Sequence, residues 1–337
     1  IKNAMDVVSK LNDPHIQDDF ERFLVQYLKS GQMVNGIDKK GPEFKALNMT
    51  LFEITLPEKS DEGKVESLKQ IISSMEQFYS GMMSVDGDSG TGYYTLELAV
   101  ANHSDDFSFN IAVHDSKKSL FEKQILSVFH NAKIVERKDD YNIFNESGST
   151  VASYATFAKN QIWPIKTYDL FDYDPLNSIL NSFSKIKTSG EGAAIQFIIK
   201  PQDSSHTKRF KKTLEEIMKG EKISTAISNN GEGISKYVEG FFKSVSSLTK
   251  NSEDKEKEKE KKKEAMQHID QISVDQIKLK MLTPIEAVNI RIISSAENEA
   301  KANEILDDIE SSFNQFENTH GNSLVFKRVV KGDLKKM

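Results

Sequence analysis

Asp169, Asp172 and Asp174 bring three carboxylates together within six residues, the kind of oxygen-rich grouping that could hold a divalent cation. The last of them stands directly before Pro175 and an apolar periodicity through Leu176, Ile179, Leu180, Phe183 and Ile186. A helix start explains the same acids more simply: Asp174 caps the first turn, and acids near a helix N-terminus are favoured by its dipole. A metal-dependent enzyme built on Asp169–Asp174 therefore stands as the alternative reading. The other chemical groupings are weaker. The glycine-rich runs Gly87–Gly92 and Gly231–Gly233 lack the Lys–Ser/Thr pair of a phosphate loop, and the first lies between a helix and a strand, the reverse of the required order. His15, His103, His114, His130, His206, His268 and His320 are scattered without metal-ligand spacing, and no serine nucleophile elbow occurs. No catalytic residue, cofactor site or metal site is assigned.

Composition narrows the remaining classes. The 337 residues carry a net charge of -6 and no cysteine, which excludes disulfides, thiolate zinc sites and cysteine nucleophiles. An acidic balance argues against a dedicated phosphate-backbone binder. No apolar run approaches the roughly 20 residues that span a bilayer, and the N-terminus lacks a signal-peptide core. A chain that opens on Ile1 is expected to be a piece of a longer protein.

The elements that would position any site follow from periodicity. Asp13, Pro14 and Gly31 bracket a helix with Ile16, Phe20, Phe23, Leu24, Tyr27 and Leu28 on one face. Leu47–Leu56 reads as strand, and Val65 through Met82 as helix. Tyr94–Val100 and Phe107–Val113 alternate as a strand pair, Leu120–Phe129 is helical, and a short strand lies near Ala132–Val135. The same β-α-β-β-α-β order restarts with Val151–Ala158, the helix after Asp174, a strand over Ala193–Pro201, a strand over Glu286–Ser294, a helix through Phe316 and a strand over Ser323–Val330. Ser294 and Glu297 are expected to form the capping box of that last helix. The fold class is thus α+β, with two tandem ferredoxin-like units. An N-terminal helical segment covers 1–40, the first unit 41–145 and the second 150–337, the latter interrupted by a helical, charge-rich insertion at 201–283.

The insertion carries an apolar stripe of Ile234, Tyr237, Val238, Phe241, Phe242, Val245 and Leu248, which could pack on the fold, dock a partner or lie on a membrane surface. The run Glu253–Glu264, six lysines and six acids, reads as a solvated helix or a charged tether, and the whole insertion as a mobile arm. Phe107 and Phe109 share the spacing of aromatics in RNA-recognition sheets. Their surroundings lack the leading basic residue and glycine, and alternating phenylalanines are expected to be core. Trp163 and Pro164 mark a bend with an anchoring aromatic, followed by Tyr168 and the helix start at Asp174–Pro175.

The stretch WPIKTYDLFDYDPLNSIL (Trp163–Leu180) with GEGAAIQFIIKP (Gly190–Pro201) resembles the uncharacterised N-terminal region of FtsK/HerA-like ATPases related to type IV secretion and conjugative coupling proteins. LFEITLPEKS, MEQFYSGM and FSFNIAVHDSKKSLFEKQILSVFHNAKI, in the first half, look like the same region. The resemblance implies a non-catalytic accessory region at the cytoplasmic face of a membrane, with membrane helices before it and a P-loop motor after it. Its implied partners are that ATPase motor domain and membrane or subunit partners, with a homo-oligomer among the options. A single-stranded nucleic-acid module is the less expected alternative. No position here matches Walker A, so no nucleotide-binding residue is carried over.

Overall fold

The computed structural model describes Lys10, Ile16, Phe20 and Phe23, all helical, and residues 48–55, 68–85, 92–137, 141–187, 190–202, 204–230, 271–282 and 284–329. Asp13, Pro14, Gly31, the stripe Ile234–Leu248 and the charged run Glu253–Glu264 lie outside them.

In chain order the elements are β1 (Met49–Thr55), α1 (Leu68–Met82), β2 (Tyr94–Val100), β3 (Phe107–His114), α2 (Lys118–Val128) and β4 (Lys133–Arg137). There follow β5 (Ser149–Phe157), α3 (Leu176–Phe183), β6 (Gly192–Pro201), α4 (Ser205–Met218), α5 (Ile223–Asn230), α6 (Gln271–Lys280), β7 (Glu286–Ala296), α7 (Glu299–Ser312) and β8 (Leu324–Arg328). The eight strands of the described residues form one antiparallel sheet in the order β4-β1-β3-β2-β6-β7-β5-β8. The two halves of the chain meet at β2 and β6, where Tyr94 through Val100 pair with Ile199 through Ala193.

Side-chain alternation decides which face each residue joins. Phe52, Ile54, Tyr94, Ile111, Val113 and Ile199 pack with Phe78 and Met82 of α1 and Phe121 and Ile125 of α2. Leu98, Val100, Ala193, Ile195 and Ile292 pack with Ile179 and Phe183 of α3 and Ala302, Ile305, Leu306 and Ile309 of α7. Tyr94 and Leu98 have the same parity on β2, as do Ile195 and Ile199 on β6, so both helix pairs cover one side of the sheet. Two residues of the first half, Leu98 and Val100, thus belong to the core of the second.

On the opposite side, Tyr141, Ile143 and Phe144 of the connecting segment pack over Ala99, Ala194 and Ile293 at the seam. Gly192 permits this, since a Cβ there would collide with the backbone of Ile143. Gly190, at φ +84°, turns the chain into β6 in a conformation that suits glycine.

Helices α4, α5 and α6 close a separate apolar cluster of Phe210, Leu214, Ile217, Ala226, Val274 and Ile277. Ile162 is part of that cluster and Trp163 packs against it, so the described part of the insertion is seated on the loop after β5.

Two expectations are corrected. Phe107 and Phe109 are not core; they are 37% and 43% exposed. They share a face with Ile111 and Val113, but the described helices cover the start of β3 incompletely, and among the described residues Phe107 makes one ring contact, edge-on with Phe183 at 6.2 Å. Alternation fixes the face of a strand residue, not whether a helix reaches it. Ser294 is likewise not a helix cap. β7 continues to Ala296, and the buried Ser294 hydroxyl donates to Ala302 O at 2.7 Å. The cap of α7 is Asn298, with extended backbone and a side-chain oxygen accepting from Lys301 N at 2.9 Å.

Candidate functional site

The acidic cluster and the bend singled out by sequence, Trp163, Pro164, Tyr168, Asp169, Asp172, Asp174 and Pro175, fall in the loop between β5 and α3, whereas the stripe Ile234–Leu248 lies outside the described residues. Asp174 Oδ1 accepts the backbone N–H of Leu176 at 2.9 Å, and its carbonyl accepts from Asn177 N at 3.2 Å. Asp174 therefore serves the first turn of the helix as a cap. Asp169 lies in a short 3-10 turn, Tyr168–Leu170, and both it and Asp172 are exposed. Among the described residues no group of three or more His, Asp or Glu is placed to hold a metal ion. Pro164 O accepts from Asn322 N at 2.8 Å, tying the bend to the turn before β8.

The same loop holds an unusual share of large apolar surface in water. Leu170 is 53% and Tyr173 58% exposed, with Tyr168 and Leu176 at 39% and 38%. Its backbone is nevertheless fixed: Leu170 N donates to Thr167 O and Phe171 N to Tyr168 O, each at 3.1 Å. Phe171 turns inward onto Phe316 at 5.5 Å, beneath the Lys166 ammonium at 4.3 Å. Gln315 Nε2, in the 3-10 turn Phe313–Phe316 that follows α7, donates to Pro175 O at 3.0 Å.

A second feature crosses the face of the sheet opposite the two helix pairs, in register over every described strand. The paired positions run Val135, Glu53, Asn110, Glu97, Gln196, Arg291, Tyr154 and Lys327, so six central positions of one row are polar. Glu97, buried at the seam, accepts from Gln196 Nε2 at 2.7 Å, Tyr141 Oη at 2.8 Å and Thr95 Oγ1 at 3.1 Å. Three donors satisfy a carboxylate that would otherwise be costly to bury, and the Tyr141 bond fastens the connecting segment across both halves. Nearer the edge, Glu53 pairs with Arg137. Arg291 Nε donates to Asn289 Oδ1 at 2.8 Å, and burial lowers its pKa.

A third feature had no sequence signal. Glu286, the first residue of β7, receives the Tyr94 hydroxyl at 3.4 Å. Burial pushes its carboxyl up to about 7, opposed by that hydrogen bond. Tyr79 of α1, beside it, is pushed up to about 12 by burial and then by the Glu286 charge. Tyr94 is raised for the same reasons. Lys280, at the end of α6, has its pKa lowered by burial and lies 5.5 Å over the Phe157 ring.

A family model matches residues 50–329, from the second residue of β1 to just past β8. The chain belongs to the family described as Domain of unknown function (DUF8128). The DUF8128 match takes in all eight strands save Met49, both helical pairs, the insertion and each of the three features above. No curated protein and no solved structure matches the chain. Among the described residues no helix is long and apolar enough to cross a membrane.

Proposed function

We propose that this chain is a non-catalytic assembly module of a membrane-associated, DNA- or protein-translocating ATPase, built from two ferredoxin-like units joined edge to edge. The strand order carries the reading. Numbered within its own half, β4-β1-β3-β2 is 4-1-3-2 and β6-β7-β5-β8 is 2-3-1-4, a mirrored pair of the order that a β-α-β-β-α-β chain adopts. Helices α1 and α2 in one half, and α3 and α7 in the other, occupy the equivalent crossovers, with α4–α6 inserted where a hairpin would join the central strands.

Eight strands at about 4.8 Å spacing make a plate about 34 Å across. Helices stiffen one side, while across the other runs a polar row, buried at Asn110 and Glu97 and ending in exposed Val135 and Lys327. Such a plate suits holding two bodies in fixed relation, a motor on one side and a membrane or neighbouring subunit on the other. The partner class comes from the resemblance of Trp163–Pro201 and of the first-half segments to FtsK/HerA-like ATPases, and the site of action would be the cytoplasmic face of the membrane.

Reading the coding sequence past Met337 tests the motor assignment. A G-x-x-x-x-G-K-[S/T] following a strand, within about one further domain length of roughly 150 residues, is expected. A continuation without it, or a stop, sinks the assignment. Retention of the purified chain on single-stranded DNA, lost as salt rises, would instead point to a nucleic-acid module. No retention at low salt is expected, because Phe107 and Phe109 lie on the helix-bearing side rather than on the open sheet.

A further inference from the structure

We infer that the chain binds a second copy of itself by seating the Tyr168–Leu176 loop of one copy on the lysine-rich outer face of α4 in the other. This deepens the assembly reading and rests on it.

The loop is built as a ligand. Tyr168, Leu170, Tyr173 and Leu176 are 39%, 53%, 58% and 38% exposed. Two backbone hydrogen bonds, the Phe171–Phe316 contact and the Gln315 bond to Pro175 hold the loop in one shape. A surface that is already ordered pays less entropy on docking, so its apolar area converts more fully into affinity. Tyrosines in such positions are frequent anchors of protein interfaces. Asp169 and Asp172 stand among these side chains and are exposed, which makes the surface apolar with a negative rim.

The complementary surface lies on α4. Its inner face is Phe210, Thr213, Leu214 and Ile217. Its outer face aligns Lys208, Lys211 and Lys212, all exposed, at helical spacing, with Glu215 as the opposing charge and exposed Lys219 just past the helix end. Among the described residues no carboxylate forms a salt bridge with Lys208, Lys211 or Lys212. Met218, 55% exposed, ends that face with a flexible apolar side chain suited to meet an aromatic partner. One surface is apolar and rimmed by acids, the other basic and tipped by methionine. Both are exposed and their charges are opposite, and that complementarity commits the occupant to another molecule of this chain. The two patches differ, so the contact is either exchanged reciprocally in a dimer or continued from copy to copy.

Sedimentation of the full chain over a range of concentrations, with paired charge reversals, tests this. Chain one carries Asp169→Lys with Asp172→Lys; chain two carries Lys208→Glu, Lys211→Glu and Lys212→Glu. Asp174 is left alone because it caps α3. The parent is expected to associate, and each reversed chain alone to associate at least about tenfold more weakly. An equimolar mixture of the two should recover association, since each loop then meets a helix of opposite charge. Leu170→Ser with Tyr173→Ser should weaken association without lowering the melting temperature. The sequence has no cysteine, which gives a readout independent of the reversals: a Leu170→Cys chain mixed with a Met218→Cys chain and a short bismaleimide should yield the mixed cross-link above either like pair. A parent that stays monomeric, reversed chains that associate as the parent does, a mixture that fails to recover, or absence of the mixed cross-link would each overturn the contact. None of those outcomes bears on whether a motor follows Met337, so the two readings fail separately.

Discussion

Glu286 shows how one residue acquires unusual chemistry from its surroundings alone. In sequence it is one acid opening a strand; in the fold its carboxyl meets a tyrosine hydroxyl contributed from 192 residues away. Its pKa rises from 4.5 to about 7 because burial removes water from the charged form. An acid held more tightly protonated when folded contributes stability at low pH. That contribution is lost as pH rises from about 4.5 through about 7. Glu286→Gln should therefore flatten the fall of the urea-unfolding midpoint across that window. At pH 8 it should stabilise the chain by about 1–2 kcal/mol, the shift being discounted for the carboxyl's partial exposure. A variant with the parent's pH slope would show that Glu286 is not the group responsible. The acids that sequence did single out have the opposite character: Asp174 is visibly a cap, because capping is a local relation between a side chain and an amide two residues on.

Elements were legible in proportion to how locally their ends are determined. The helix after Asp174–Pro175 starts where its residues predict, but it ends at Phe183, with Ile186 buried beyond it in the same core. Helix α7 was anticipated, whereas its start was not. Ser294 and Glu297 have the spacing of a capping box, yet pairing of β7 with β5 and β6 holds Ser294 in the sheet, which delays the helix to Asn298. Asn298→Ala should accordingly cost about 1 kcal/mol, whereas Glu297→Ala should be within about 0.5 kcal/mol of the parent. Thermal unfolding of the two variants decides between the caps, and equal losses would count against Asn298. Phe107 and Phe109 teach the same lesson on a strand. Their alternation correctly places them on the side of Ile111 and Val113, but how far the helices reach is not written in β3.

At the scale of the whole molecule, the seam between β2 and β6 makes one sheet of two halves. Leu98 and Val100 complete a core made mostly by the second half, and Glu97 is bonded by Gln196 from the second half and by Tyr141 of the connecting segment. The halves should therefore unfold together. Ile195→Ala, which empties a site that is 0% exposed at the seam, should cost about 2–5 kcal/mol and lower one shared transition. Hydrogen exchange would check this, with β2 and β6 amides the slowest and those of the edge strands β4 and β8 fastest; a first half that stays protected while the second opens would contradict it. By itself the sequence determined the alternation of strands and helices, the repeated order and the cap at Asp174, since each depends on residues a few positions apart. Only the tertiary structure decided the rest. It joined β2 to β6, raised Glu286 beside Tyr94, left the Tyr168–Leu176 loop in water, and turned three suggestive aspartates into one cap and two exposed acids. Those outcomes depend on what the chain brings together across long separations, and on which surfaces remain uncovered once it has.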